Sequence, residues 1–317
     1  MTIRLHRYLF ILVVFFISPA ALRAADAPYV PTPWNVVDAL FQLGGVGAGD
    51  FLIDLGSGDG RIVITAAKQF GVRGLGAELD PNLVRNAQRE AQRQGVQDRV
   101  SFVVEDLFFV DISKATVITL YMSESVNLRL RPALFKLKPG TRIVSHDFDM
   151  AQWTPDEKIT VPVPNKPYGA PRSDIFKWVV PADFSGTWAW RMSIEGINQE
   201  HEAIVEQKFQ MAEAKGRVAS QAAPVGDVKI RGDTISFIMG ATVAGKTTRR
   251  DFRGRISGDT ITGSVITVVE GDAVHLSQEP VKWQATRTAR GKMIIDAAAQ
   301  SIDDNKVAAI FLTKEQQ

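Results

Sequence analysis

The sequence predicts an α/β fold followed by a smaller antiparallel all-β domain. Three observations carry this. Strand-like and helix-like segments alternate from about residue 35 to 180, the pattern of βαβ units assembled into a mostly parallel sheet. The stretch "FLIDLGSGDGRIVI", Phe51 to Ile64, runs from one apolar segment through three glycines into another. From Asp183 helical spacing fades and short alternating runs separated by glycine turns take over, as in a barrel or sandwich.

Along the first part, the strand candidates are 50–55 ("DFLIDL"), 72–79 ("VRGLGAEL"), 99–106 ("RVSFVVED"), 115–122 ("ATVITLYM") and 141–148 ("TRIVSHDF"). Between them "GRIVITAAKQFG", "PNLVRNAQREAQRQG" and "SVNLRLRPALFKL" read as helices. In the second of these, Leu83, Val84, Ala87 and Ala91 recur at helical spacing, with Pro81 at the start and Gly95 at the stop. "KITVPV" and "IFKWVV" (175–180) close this part as a strand pair. A first domain of 28–181 results, joined by a short link at Val180–Ala182 to a second of 183–290. The second opens with "FSGTWAW", and an amphipathic helical piece is expected near Glu200. "IRGDTISF" (230–237) and "ISGDTITG" (256–263) place Gly-Asp between alternating runs, which is hairpin chemistry. The whole is read as a meander that closes on itself, with "VKWQATR" as the closing strand and Trp188, Trp190 and Trp283 in the core. Residues 291–317 carry no readable pattern.

Composition bounds the function. The 317 residues are 45% hydrophobic and 23% charged, enough for one large domain or two moderate ones. The chain has no cysteine, which excludes disulfides, thiol nucleophiles and thiolate metal sites. Arg4 and Arg7 precede an apolar run from Tyr8 to Leu22, broken only by Ser18 and Pro19, and Ala24, Ala25 and Ala27 follow. A charged start, a short apolar core and a small-residue exit describe a secretory signal. It is assigned to residues 1–24, making the protein exported and periplasmic; a retained membrane anchor is the alternative. Arg4, Arg7 and Arg23 contribute to the net charge of +2; 37 basic residues less these three leave 34 against 35 acidic, or −1. That balance speaks against a nucleic-acid partner.

The glycine turn carries the chemistry. A strand ending in Asp54, then Gly56, Ser57, Gly58 and Gly60, then a helix from about Arg61, forms a nucleotide cradle. The glycines let the backbone turn sharply and approach a ligand, and the helix start presents free N–H groups. The spacing is G-x-G-x-G with no Gly-Lys-Ser/Thr after it, so it is not a phosphate-binding P-loop. The run from Gly240 through Gly245, Lys246 and Thr247 does match the P-loop pattern, but it lies in the β-rich part and is read as a hairpin turn. Glu78 falls eighteen residues after Gly60, where the sheet places an acid on a ribose diol. Asp106 in "VEDLF" is placed to accept from an adenine amino group, with Leu107 against the ring; a helix-capping aspartate is the alternative. The four histidines (6, 146, 201 and 275) are scattered, and no residues have metal-ligand spacing.

Together "DLGSGDG", "GAELD" and "VEDL" resemble the class I S-adenosylmethionine-dependent methyltransferases over about residues 35–180. The resemblance implies a Rossmann-like seven-stranded sheet with a reversed final hairpin. It implies that Gly56, Gly58 and Gly60 line the methionine part of S-adenosyl-L-methionine, Glu78 holds the ribose and Asp106 reads the adenine. "PYVPTPWNVVDAL", with "DLGSGDGRIVI" and "GAELDPNLV", is similar to the protein-lysine methyltransferase family whose animal members modify the ATP synthase c-subunit. In that family the stretch matching "YVPT" folds near the methyl donor, which puts Tyr29 and Pro31 on the substrate side. The implied reaction is methyl transfer to a lysine side chain of a protein; separately, export suggests an envelope partner held by the β-domain. Candidates for handling the amine are Tyr29, Tyr121, Asp147 and Asp149; His146 is a base or a structural histidine, and the two aspartates are alternatively a solvated strand edge. An exported binding protein that works through its β-domain and a small-molecule methyltransferase are the competing readings.

Overall fold

The structure is a computed structural model that describes residues 29–167, 169–194, 197–243, 246–269, 275–276 and 279–295. The signal assigned to 1–24 and the tail beyond 295 lie outside the described residues. The chain divides into two compact units, Met1–Val30 and Pro31–Gln317. Every helix and strand among the described residues belongs to the second.

The first sheet is built from β1 (Phe51–Leu55), β2 (Arg73–Glu78), β3 (Val100–Val104), β4 (Val117–Leu120), β5 (Arg142–His146), β6 (Glu157–Pro162) and β7 (Arg172–Val179). Four helices accompany it: α1 (Trp34–Gly44), α2 (Arg61–Phe70), α3 (Pro81–Arg93) and α4 (Glu124–Leu134). The strand order is β3-β2-β1-β4-β5-β7-β6. Strands β1 to β5 run parallel, and β7 is antiparallel to both β5 and β6. The order reverses between β1 and β4, and ligands of open α/β sheets bind at such a switch point, beyond the carboxyl ends of the strands.

Local chemistry fixes these elements. The interior of β1 and all of β4 are buried, as strands covered on both faces must be. Helix α3 starts with Pro81 in its first turn, and the Asp80 carboxylate accepts from Asn82 N at 2.7 Å. Its buried side chains are Val84, Ala87 and Ala91, a single stripe. Helices α1, α2 and α3 pack on one face of the sheet and α4 on the other.

The second sheet comprises β8 (Gly186–Ile194), β9 (Ile197–Lys208), β10 (Met211–Val218), β11 (Gln221–Ala223), β12 (Val225–Arg231), β13 (Thr234–Val243), β14 (Lys246–Ser257), β15 (Thr260–Val269), β16 (His275–Leu276) and β17 (Val281–Arg290). Its order is β11-β10-β9-β8-β17-β15-β14-β13-β12, with β16 beside β15. Its two ends curl together. A Cβ added to Gly216 of β10 would lie 2.6 Å from Val225 of β12 and 2.7 Å from Met239 of β13, so the sheet is barrel-like. The two Gly-Asp pairs form two-residue hairpins, with Arg231 opposite Thr234 and Ser257 opposite Thr260. Gly232 and Gly258 take φ of +59° and +60°, the left-handed region that such a turn needs. Trp188, Trp190 and Trp283 are buried in the barrel core.

Three expectations need correction here. The helical piece near Glu200 is instead part of β9, whose inward positions are Gln199, His201, Ala203, Val205 and Gln207. Polar side chains on the inner face hide the alternation from a hydrophobicity reading. The barrel is also not a plain meander: β17 inserts between β8 and β15. Finally, residues 291–295 are not patternless. Ile294 N donates to Gln207 O at 2.8 Å and Phe209 N to Ile294 O at 3.2 Å, so the chain returns to the end of β9. The P-loop-like stretch is a hairpin, Val243 opposite Lys246 on antiparallel β13 and β14; Gly245 lies outside the described residues.

The barrel packs against the first sheet through an aromatic cluster and several polar contacts. Phe209 lies 5.8 Å from Phe135 and 6.3 Å from Trp153, centroid to centroid, beneath the Arg131 guanidinium at 5.4 Å. Ala182 N donates to Gly232 O at 2.7 Å, and Gln210 Nε2 donates to Thr154 O at 2.7 Å.

Candidate active site

The turn after β1 is held open by backbone geometry. Gly56, Gly58 and Gly60 have φ of +81°, +53° and +78°, values that L side chains resist. At Gly56 an added Cβ would come within 2.9 Å of Met122 Sδ; at Gly60 it would meet the Phe102 ring at 2.7 Å. The loop is tied to β2, because Gly56 N and Ser57 N both donate to Ala77 O at 2.9 Å. Gly58 N donates to Glu78 Oε2 at 2.9 Å, while Leu79 N and Asp80 N donate to Oε1 at 2.7 and 3.0 Å. Glu78 is therefore held by backbone alone, with lone pairs left for a ligand's hydroxyls.

Charge tells what the loop receives. Asp54 is buried at the end of β1, and Thr119 of β4 donates to its Oδ1 at 2.6 Å. Burial raises the Asp54 carboxyl to about 7, with the charges of Asp59 and Glu78 adding to the rise and the Thr119 bond opposing it. Three carboxyl groups around one loop repel a pyrophosphate and favour a cation. S-adenosylmethionine is such a ligand, carrying a sulfonium and an ammonium. Ser57 supplies a further sign of fit, since its buried Oγ has no hydrogen-bond partner, a donor or acceptor that a ligand in the loop satisfies.

Beyond β3, Asp106 Oδ1 accepts from Phe108 N at 3.0 Å, and Phe109 N donates to Asp106 O at 2.8 Å. Asp106 thus braces its own turn, keeping the second carboxylate oxygen available. Leu107 is half-buried beside it, and Leu79 and Phe109 are exposed on the same edge of the sheet.

A second cluster follows β4 and β5. Tyr121 stacks on His146 with ring centroids 3.8 Å apart and 28° between planes. His146 is fully buried. Its Nε2 lies 2.9 Å from Ser173 Oγ, and its Nδ1 3.5 Å from Thr32 Oγ1. Burial holds this imidazole down at about 4, against the pull of Asp147. Such an imidazole is neutral at physiological pH and a weak base, and its contacts are those of a packed side chain. Burial also raises the Tyr121 phenol above its usual value, and the Asp147 charge adds to this. Asp147 sits just past the end of β5 at φ +62°. Its Oδ1 accepts from Asp174 N at 3.1 Å, and its Oδ2 pairs with Lys166 Nζ at 2.5 Å. Both oxygens of Asp147 are thus engaged, and the alternative of a solvated strand edge does not describe it. Asp149 accepts from Ala151 N at 2.9 Å and caps the next turn.

The predicted residues thus gather at one edge. Asp54, the glycine loop, Glu78, Asp106 and Leu107 follow β1, β2 and β3; Tyr121 and Asp147 follow β4 and β5. Pro31 opens the second compact unit, whereas Tyr29 falls in the first. Sequence reasoning missed Thr119, Thr32, Ser173 and Lys166. Thr119 left one trace, a hydroxyl within an otherwise apolar strand at the register of Asp54. The others come from distant segments and carry no motif. Arg61 joins the two clusters: its Nη2 pairs with Asp59 at 2.6 Å and its Nη1 donates to Thr32 O at 2.9 Å. Among the described residues no group of three His, Cys, Asp or Glu is placed to hold a metal.

A sheet with this order and a glycine loop at its switch point fit an S-adenosylmethionine-dependent methyltransferase. Comparison with known proteins narrows the class. Residues 54–157 match the ANTKMT methyltransferase domain. A protein-lysine N-methyltransferase of Saccharolobus islandicus is 47% identical over 136 residues, covering 42% of this chain and 84% of that protein. The ATP synthase c-subunit lysine N-methyltransferase of Rattus norvegicus is 36% identical over 142 residues, 44% of this chain and 64% of that protein. An RNA methyltransferase from Salinibacter ruber, solved with S-adenosyl-L-homocysteine, is 49% identical, covers 49% of this chain and 96% of its own, and has a TM-score of 0.45. The chain belongs to the protein-lysine N-methyltransferase family.

Proposed function

We propose that the protein transfers a methyl group from S-adenosylmethionine to the side-chain amine of a lysine in a protein substrate of the cell envelope. The observation that carries this is the 47% identity to a protein-lysine N-methyltransferase over nearly all of that protein. The cofactor supplies an electrophilic methyl group on a sulfonium that leaves readily. The chain supplies placement. Glu78 accepts from the ribose hydroxyls, Asp106 from the adenine amine, and Asp54 balances the cofactor's positive charge beneath the glycine loop. Tyr121 lies beyond the loop, at the end of the strand next to β1, where its hydroxyl can accept a hydrogen bond from an incoming amine that has given its extra proton to water, and so aim the amine's lone pair. The stacked His146, itself pinned by Ser173, fixes the angle of that ring. Export rests on the charged, apolar and small-residue succession of the first 27 residues. The β-barrel is the part of the chain suited to hold an envelope partner.

The test is incubation of the full chain with methyl-labelled S-adenosylmethionine and an envelope protein fraction, followed by mass spectrometry of the labelled peptides. Label on lysine side chains is expected, lost in Glu78→Ala. Label confined to small molecules overturns the protein-lysine reading. Alkaline phosphatase fused after residue 290 reads the compartment: an active fusion is expected, and an inactive one refutes export.

A further inference from the structure

Lys166 lies in the loop between β6 and β7, in a place unusual for a lysine. Long cationic side chains normally keep their ends in water. This one is only 12% exposed and reaches inward, with Nζ 2.5 Å from Asp147 Oδ2 and donating to the Arg172 carbonyl at 2.9 Å. His146 Nε2 is 3.3 Å from the same carboxylate oxygen. Tyr121 stacks on His146, and Phe148, 38% exposed, forms the outer lip 6.3 Å from Tyr121. An ammonium held by a carboxylate and a carbonyl oxygen is well received. We propose that Asp147 Oδ2 and the Arg172 carbonyl form the receptor for the acceptor lysine's ammonium, and that Lys166 of this chain fills it until an acceptor displaces it. This rests on the protein-lysine reading above.

Two further observations support it. Asp147 holds its carboxylate in position from a left-handed backbone conformation, φ +62°, clipped by hydrogen bonds in both directions between its main chain or side chain and Asp174. Non-glycine residues in that region gather where function requires a particular aim. The cage is also wired to the cofactor loop. Asp59 holds Arg61, Arg61 donates to Thr32 O, and Thr32 Oγ1 lies 3.5 Å from the His146 ring at Nδ1. An acceptor that displaces Lys166 gives one proton of its ammonium to water, and the lone pair so freed would attack the methyl carbon while the sulfur leaves with the electrons of its bond to that carbon. The competing reading makes Lys166 a strut that fastens the loop between β6 and β7.

Steady-state kinetics of the full chain with S-adenosylmethionine and N-α-acetyl-lysinamide as probe acceptor separates the two. Lys166→Met should lower KM for the probe about twofold to fivefold, the worth of a partly exposed ion pair. It should leave kcat within about twofold and the affinity for S-adenosylmethionine unchanged. Lys166→Gln is the second variant should the methionine fold poorly. An unchanged or raised KM with cofactor affinity intact overturns the proposal. The binding of n-butylammonium, followed by NMR, gives the same comparison without turnover, so the result stands apart from whether lysine is the true acceptor. Several-fold tighter binding to Lys166→Met than to the unaltered protein supports the receptor; equal binding to both refutes it.

Discussion

Asp54 is the titrating group proposed to face the cofactor's positive charge, and its substitution by asparagine makes a sharp prediction. Burial holds its carboxyl at about 7 in place of 3.8. The difference corresponds to ~4 kcal/mol between the two protonation states. The folded protein binds this proton more tightly than the unfolded chain. Its contribution to stability is therefore fully present below pH 3.8 and is lost as pH rises through 7. Asp54→Asn should remove that slope and make the ligand-free protein more stable at pH 8 than the unaltered one, by up to ~4 kcal/mol in chemical denaturation. The cofactor reverses the sense. Its positive charge favours the carboxylate, so binding expels the proton. Titration calorimetry at pH 6 and 8 should show S-adenosylmethionine binding about tenfold more tightly at the higher pH. At pH 6 and 7, buffers of different ionisation heat should reveal release of most of one proton at the first and about half at the second. The Asn variant should bind more weakly, with no pH dependence across the range. An affinity that is flat between pH 6 and 8, without proton exchange, refutes the assignment of Asp54 to the cofactor's cationic side.

Three further outcomes follow from the same geometry. Glu78→Ala removes a carboxylate that would accept two ribose hydroxyls, and calorimetry should show at least ~100-fold weaker binding of S-adenosylmethionine. His201 in the barrel is held at about 4, chiefly by burial and then by the charge of Arg250. It stays uncharged in the fold, so stability is lost as pH falls from 6.5 toward 4, by ~3 kcal/mol, and urea titrations of His201→Asn should show a flatter pH dependence over that range. Phe209→Ala empties the aromatic contact between barrel and sheet, and should cost ~3–5 kcal/mol in thermal or chemical denaturation.

Much of this was legible in the sequence because it is local. The glycine loop, Glu78 and Asp106 lie within one or two residues of strand ends, so motif and position arrive together. The Gly-Asp hairpins were readable for the same reason, since two residues settle the turn. What escaped depends on residues far apart in the chain. Lys166 meets Asp147 only because β7 runs back along β5, and neither partner belongs to a motif. The aspartate's positive φ has no signature, because aspartate tolerates that conformation without demanding it. Strand β9 was mistaken for helix because Gln199, His201 and Gln207 face inward, and an inner face with polar members blurs a two-residue period. The place of β17 was hidden for a different reason: strand candidates read one after another suggest neighbours in that order, and nothing in "VKWQATR" announces that it lies beside β8.

That position of β17 sets a timetable for assembly. Strands β8 and β15 remain open edges until residues 281–290 have been synthesised, and every shorter nascent chain carries an unclosed barrel. The first sheet, complete once β7 has formed, has no such wait. A nascent or stalled chain therefore passes through a stage with one finished module and one pair of unpaired edges. Bare edges of that kind recruit other strands. Proteins that escort unfinished chains would bind there, and a truncation just before Val281 would turn a passing stage into an aggregation-prone product.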